Sequence, residues 1–187
     1  MPETERDLVR KAQHGDQAAF AALVRRYQAM VYNLAYACLG DADAAADAAQ
    51  ETFLRAWRSL RTFAGHAAFS TWLYTIAHRT SLSLAARRPK SLPLSDLPEL
   101  AADEASDPLA ETIRRQEAAT LRRALWELPP VMRLPLVLYH YHDLSYEEIA
   151  RVTGQPIGTV RTHLHRGRAR LRQKLAREGT ETECAAR

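Results

Sequence analysis

Residues 145–175 read SYEEIARVTGQPIGTVRTHLHRGRARLRQKL. From Ile157 to Arg177 there are seven basic side chains (Arg161, Arg166, Arg168, Arg170, Arg172, Lys174 and Arg177) and no acidic one. Guanidinium groups so placed suit nucleic acid. An arginine can pair bidentately with a guanine edge, worth ~1–3 kcal/mol of discrimination, and further arginines hold phosphates and set the register. Catalysis finds no comparable support. The sequence shows no paired carboxylates, no Ser/His/Asp order and no glycine-rich phosphate loop, so the chain reads as a binding protein rather than an enzyme. No cofactor is implied. His140 and His142 stand two apart, on different faces of a helix, which argues against a shared metal.

The basic residues need a scaffold, and the local signals supply one. Ser145 and Glu148 have the Ser-x-x-Glu spacing of a capping box. Ile149, Ala150 and Val152 give a short helix its apolar face, Gly154 permits a left-handed end, and Pro156 pre-sets the next helix. Two helices about a tight glycine turn make a helix-turn-helix, whose second helix is expected in the major groove. On that helix Val160, Leu164, Leu171 and Leu175 form one narrow buried stripe. Thr162, His165, Arg166 and Ala169 lie opposite, flanked by Arg161 and Arg168 on one edge and His163 and Arg170 on the other. Gly167 is an oddity there, costing ~1 kcal/mol relative to alanine inside a helix.

The first half also reads as helices. Phe20, Leu23, Val24, Tyr27, Val31, Leu34 and Cys38 recur at helical spacing, with Asp16 as a cap and Gly40 as the end. A second helix starts near Asp41 or Asp43, with Ala49, Phe53, Trp57 and Leu60 expected in the core. Its other face carries Asp47, Gln50, Glu51, Leu54, Arg55 and Arg58. A leucine ringed by polar groups has the form of an interface anchor. A third helix is expected from a Ser70 cap to a stop at Pro89. Its aromatic and basic groups, with Trp72 and Arg79 among them, suit single-stranded nucleic acid, and the loop before it could hold an extruded base.

The chain has 187 residues, 47% of them apolar, and a net charge of +4. The charge is segregated: eleven basic against eight acidic residues in 1–88, three against six in 89–115, and twelve against eight in 116–187. Pro89, Pro93, Pro98 and Pro108 break helices across the acidic middle, which reads as a linker. Many Ala, Leu and Arg with few β-branched runs predict an all-α protein of two small helical domains joined by a flexible linker. Expected boundaries are 1–88, a linker over 89–115, 116–177, and a polar tail over 178–187. Cys38 is expected as a packed core thiol, and Cys184 lies in the tail, so no disulfide framework or zinc site follows. No signal peptide or spanning segment is legible, and a cytoplasmic protein is expected.

DAAQETFLRAW, FSTWLYTIAHR and LSYEEIARVTGQPIGTVRTHLHRGRARLR together resemble a bacterial RNA polymerase sigma factor of the sigma-70 family, extracytoplasmic-function (ECF, group 4) subfamily. The resemblance covers nearly the whole chain and implies a sigma region 2 bundle and a sigma region 4 helix-turn-helix. It implies that Asp47, Gln50, Glu51, Leu54 and Arg55 dock on the clamp of the polymerase's largest subunit. It implies single-stranded reading of the −10 element by Phe63, Trp72, His78, Arg79, Thr80, Ser83, Arg87 and Arg88. Duplex reading of the −35 element falls to Pro156, Thr159, Arg161, Thr162, His163, His165, Arg166, Arg168 and Arg170. His163 and His165 depart from the residues often found there, so the −35 sequence does not carry over from a relative. Further partners implied are promoter DNA, the flap of the second-largest subunit and, in many members, an anti-sigma factor. Asp96, Glu99, Asp103 and Glu104 of the linker would mimic RNA charge in the polymerase channel. The rival reading is a helix-turn-helix regulator acting at an operator without joining polymerase. It accounts for the C-terminal motif but not for the first half.

Overall fold

The computed structural model describes residues 3–87 and 119–185, with side chains to residue 177. All regular structure among the described residues is helical: α1 Glu5–Gln13, α2 Gln17–Leu39, α3 Ala42–Ser59, α4 Phe69–Ala85, α5 over 119–126, α6 Pro130–Tyr141, α7 Tyr146–Thr153 and α8 Ile157–Ala185. The acidic residues assigned to the linker lie outside the described residues, as does Arg88.

Helix ends follow from local chemistry. Asp16 accepts from the backbone N–H groups of Ala18 and Ala19 at the start of α2, and Gly40 closes that helix at φ 71°. Of the two aspartates expected near the start of α3, Asp41 is the cap and accepts from Ala44 N–H. The sequence did not announce α1, although its marks are present: Thr4 caps Asp7 N–H, and Val9 and Ala12 are buried.

Two expectations shift. The buried face of α3 is Ala44, Ala45, Ala48, Thr52 and Ala56. Phe53 and Trp57 stand half-buried beside it, with Trp57 against Phe20 at 4.8 Å between ring centroids. A face of small residues lets α3 approach α2 and α4 closely, which decides the packing over the bulk of Phe53 and Trp57. The start of α4 also moves. Ala68, not Ser70, flanks the first turn and makes no side-chain cap. Phe69 is drawn into that turn because it is buried against Tyr27, Phe63 and Trp72.

In the second half Leu125, Leu128, Leu138, Ile149, Val152, Val160 and Leu164 are buried together. Burying each such side chain stabilises the fold by ~1.5–3 kcal/mol. Gly167 is explained by the packing of α6 against α8. A Cβ on it would stand 2.9 Å from Leu136 Cδ1, so the close approach of the helices offsets glycine's cost. The two halves share one continuous core, α2 packing on α6 and α4 on α7.

Candidate nucleic-acid interface and docking face

The helix-turn-helix forms as its motif predicts. Ser145 Oγ accepts from Glu148 N–H and the Glu148 carboxylate accepts from Ser145 N–H, so two orphan donors are satisfied reciprocally. These bonds hold the Glu148 carboxyl below its usual range, the Ser145 backbone bond being the largest cause. Gly154 ends α7 at φ 69°. Beyond the turn, Thr159 N–H donates to Pro156 O at 2.8 Å and opens α8.

The basic helix sorts its side chains. Val160 and Leu164 are buried, while Pro156, Arg161, Thr162, His165, Arg166 and Arg170 are exposed. Arg161, Arg166 and Arg170 make no ion pair among the described residues. Three expected readers are partly engaged at home. Arg168 lies over the Tyr139 ring at 4.8 Å, the His163 ring nitrogen is 3.2 Å from Gln155 Oε1, and Thr162 Oγ1 donates to Gly158 O. Thr159 is half-buried. Lys174 pairs with Glu127, tying α8 to the turn that follows α5.

The residues expected to meet the −10 element divide between two faces of α4. Trp72, Arg79, Ser83 and Arg87 share one face, of which Arg79 and Arg87 are exposed and Trp72 and Ser83 half-buried. Trp72 packs on Phe63 at 5.0 Å and on Phe69 at 5.5 Å. His78 and Thr80 correct the expectation: both are buried here, His78 at 9% and Thr80 at 1% exposure. For His78 the reason is α7, which packs against its side of α4, whereas Thr80 lies on the opposite side of that helix. Burial holds the His78 pKa below its ordinary value, opposed by a hydrogen bond with the Val152 backbone. Thr80 Oγ1 has no partner among the described residues. The loop before α4 borders a groove of about 720 Å³ lined by Phe63, Gly65, His66 and Phe69 together with Gln13 and Arg151.

On α3, the opposite surface from the small-residue face carries Asp47, Gln50, Leu54 and Arg55 exposed, with Glu51 half-buried. Leu54 is 52% exposed. Beside it Arg55 Nε donates to Glu51 Oε1 at 2.6 Å, which lowers the Glu51 pKa. An apolar anchor in a polar, paired rim is thus present as a surface.

One residue that sequence reasoning passed over stands between the halves. Arg133 of α6 is 6% exposed; its Nε donates to Ala37 O at 2.8 Å and its Nη1 to Trp126 O at 2.9 Å. Its one visible sign was a lone charge inside the apolar run PPVMRLPLVLYHY. His140 and His142 do point apart: His140 packs on Tyr139, and His142 packs on Tyr74 of α4. Cys38 is half-buried and packs against the core, its thiol pKa pushed up to about 12 by burial.

Helices throughout the described residues, with a helix-turn-helix at one end and an exposed leucine in a polar rim at the other, have the form of a DNA-binding protein with a docking face. Comparison with known proteins narrows this class. Sigma-70 region 2 matches residues 23–90, and Sigma-70, region 4 matches residues 118–171. The RNA polymerase sigma-H factor of Pseudomonas aeruginosa is 35% identical over 182 residues, covering 92% of this chain and 94% of that protein. The ECF RNA polymerase sigma factor SigE of Mycolicibacterium smegmatis is 39% identical over 178 residues, 92% of this chain and 68% of that protein. The solved structure of CnrH in complex with the cytosolic domain of CnrY superposes with a TM-score of 0.67 at 25% identity, over 93% of this chain and 98% of that one. The chain belongs to the sigma-70 family of RNA polymerase sigma factors, in its ECF subfamily.

Proposed function

We infer that this protein binds core RNA polymerase and directs it to specific promoters, initiating DNA-templated transcription. The observation that carries this is the presence of both a region 2 and a region 4 match in one chain, with ECF relatives aligned over 92% of it. An operator-binding regulator would leave the first half without a purpose.

Side-chain exposure supports the following division of work. Leu54, with Asp47, Gln50, Glu51 and Arg55 around it, docks on the clamp of the largest subunit. Trp72, Arg79, Ser83 and Arg87 meet the −10 element as a single strand, where aromatic stacking and phosphate pairing suffice, and Phe63 of the neighbouring loop flanks them. Arg161, Thr162, His165 and Arg166 read the −35 duplex in the major groove, with Pro156, Thr159, His163, Arg168 and Arg170 setting and supporting the helix. The flap of the second-largest subunit holds the C-terminal domain. The chain contributes no catalytic group, and bond formation belongs to the polymerase. Domain limits of 1–88 and 116–177, joined over 89–115, fit this division. An anti-sigma factor is a further class of partner; the relative CnrH is solved with a cytosolic domain of another protein. Among the described residues no helix is long and apolar enough to cross a membrane, and we place the protein in the cytoplasm with the polymerase.

One short recognition helix offers too few base contacts for genomic specificity. Two weak contacts on one polymerase add through effective concentration. The test is in vitro transcription with purified core polymerase and a library of genomic promoters. Defined start sites that depend on the chain are expected. Operator binding without any effect of polymerase would favour the rival reading.

A further inference from the structure

None of the roles assigned above falls on α1. The region 2 match begins at residue 23, so this helix stands outside it. Its apolar packing is thin: Val9 and Ala12 are buried, with Leu8 partly so. Polar ties do more of the holding. Near the start of α1 the Tyr27 hydroxyl donates to the Glu5 carboxylate. At its last residue Gln13 Nε2 donates to two carbonyls, Leu60 O at 3.2 Å and Phe63 O at 2.8 Å. A side-chain amide facing two acceptors must present its nitrogen, and each N–H of Gln13 then has its own carbonyl.

Gln13 thereby grips the entrance to the loop before α4. Leu60–Thr62 make a single 3-10 turn, and Phe63 leaves it in extended conformation, at φ −69° and ψ 106°. Carbonyls at the end of a helical turn lack partners within it. Phe63 N–H closes on Leu60 O at 3.1 Å. Gln13 supplies a second donor to Leu60 O and the donor to Phe63 O. Beyond Phe63 the backbone has little to hold it. Among the described residues, none of residues 64–67 makes a backbone–backbone hydrogen bond, and Ala64, Gly65 and His66 are exposed. Order resumes at Phe69, buried against Tyr27, Phe63 and Trp72. The loop is pinned at its two ends, by Gln13 and the Phe63 ring at one and by Phe69 at the other.

The loop and α1 line the same groove of about 720 Å³, α1 through Arg6, Arg10 and Gln13. A nucleobase is flat and rigid. A groove that receives one gains affinity when its loop is fixed beforehand, because a loop ordered in advance loses no freedom on binding.

We propose that Gln13 is a positioning residue of the −10 site: its two hydrogen bonds fix residues 63–68 in the form that receives an unpaired promoter base, which makes α1 a working part of that site. The inference rests on the promoter-directing reading above. Gln13 itself touches no base, and its effect passes through the carbonyls of Leu60 and Phe63.

The test uses the full chain with core polymerase, at a promoter mapped by the transcription assay. Gln13→Met keeps the length and shape of the side chain and removes both donors. Promoter opening, followed by 2-aminopurine fluorescence in the −10 element, is expected to slow by about tenfold. Affinity for core and for the −35 duplex of the same promoter is expected to be unchanged. Gln13→Lys returns N–H donors on a longer stem, its cation suits the C-terminal turn of α1, and most of the opening rate should come back. Opening by Gln13→Met at the unmodified rate would overturn the proposal. So would an equal loss in all three measurements, the mark of a generally loosened fold. If the unmodified chain opens no promoter, the promoter reading fails. If it opens one and Gln13→Met matches it, the failure lies with Gln13 alone.

Amide hydrogen exchange on the free chain gives a second measurement. Gln13→Asn, whose amide falls one methylene short, serves there if Gln13→Met folds poorly. Faster exchange at the Phe63 amide is expected, with the amides of α2 and α3 unaltered. Exchange at Phe63 equal to that of the unmodified chain would remove Gln13 from the positioning of the loop.

Discussion

A single exposed leucine decides how much of the docking face is real. Leu54 is 52% exposed and makes no contribution to the core of its own domain. Its replacement by glutamate should leave the fold unchanged and remove an apolar anchor from a polar rim. Hot-spot truncations cost about 2 kcal/mol or more, or roughly 30-fold in affinity. Leu54→Glu is expected to weaken binding to core polymerase by at least that factor, measured by anisotropy, with an unaltered melting temperature. Unchanged affinity would discard the anchor. Gly167 is the opposite case, a residue whose importance is internal. Alanine there gains helix propensity of ~1 kcal/mol but presses on Leu136 Cδ1 at 2.9 Å, so a small net change is expected. Valine adds branches with nowhere to go, and Gly167→Val should cost ~1–3 kcal/mol, read as a lowered urea midpoint.

Elements differ in how openly they are written in the chain. The α7–turn–α8 unit was legible to its caps because Ser145, Glu148 and Gly154 act on backbone within a few residues of themselves. Local chemistry of that sort survives any tertiary context. The face of α3 was less legible, since bulk suggested Phe53 and Trp57, whereas the need for close approach selected Ala45, Ala48 and Ala56. The start of α4 was misjudged for a related reason: burial of Phe69 outweighed a hydroxyl cap at Ser70. A prediction belongs at this scale. Ser145→Ala removes the acceptor for Glu148 N–H and should cost ~1 kcal/mol, lowering the thermal midpoint by several degrees. Because α7 sets the angle of α8, affinity for a −35 duplex should fall as well. No change in either measurement would show the box to be dispensable.

At the scale of the whole molecule, the seam between the halves was the least legible feature. Partners such as Arg133 and Ala37 are 96 residues apart, and no local pattern joins them. The seam has a pH signature that follows from its histidines. Burial lowers the His142 pKa from 6.5 to about 4, with Asp143 pulling weakly the other way and the Tyr74 ring packed on it. Burial also lowers His78. A histidine held neutral in the folded state contributes stability that is complete above its unfolded pKa. That stability is lost as pH falls from about 6.5 toward the folded value, because the unfolded chain binds the proton first. For His142 the loss between pH 7.5 and pH 5 amounts to ~2 kcal/mol, with His78 acting in the same direction. Glu148, Glu51 and Asp7, whose pKa values are lowered, withdraw their contributions only at more acid pH, so the window from 6.5 to 5 belongs to the histidines. His142→Phe keeps a ring against Tyr74 and deletes both unpartnered nitrogens. It should be at least as stable at pH 7.5, and the fall in urea midpoint down to pH 5 should shrink by roughly half or more. An unchanged pH profile would mean that His142 finds water or a partner as the chain titrates, and that the seam is looser than its packing implies.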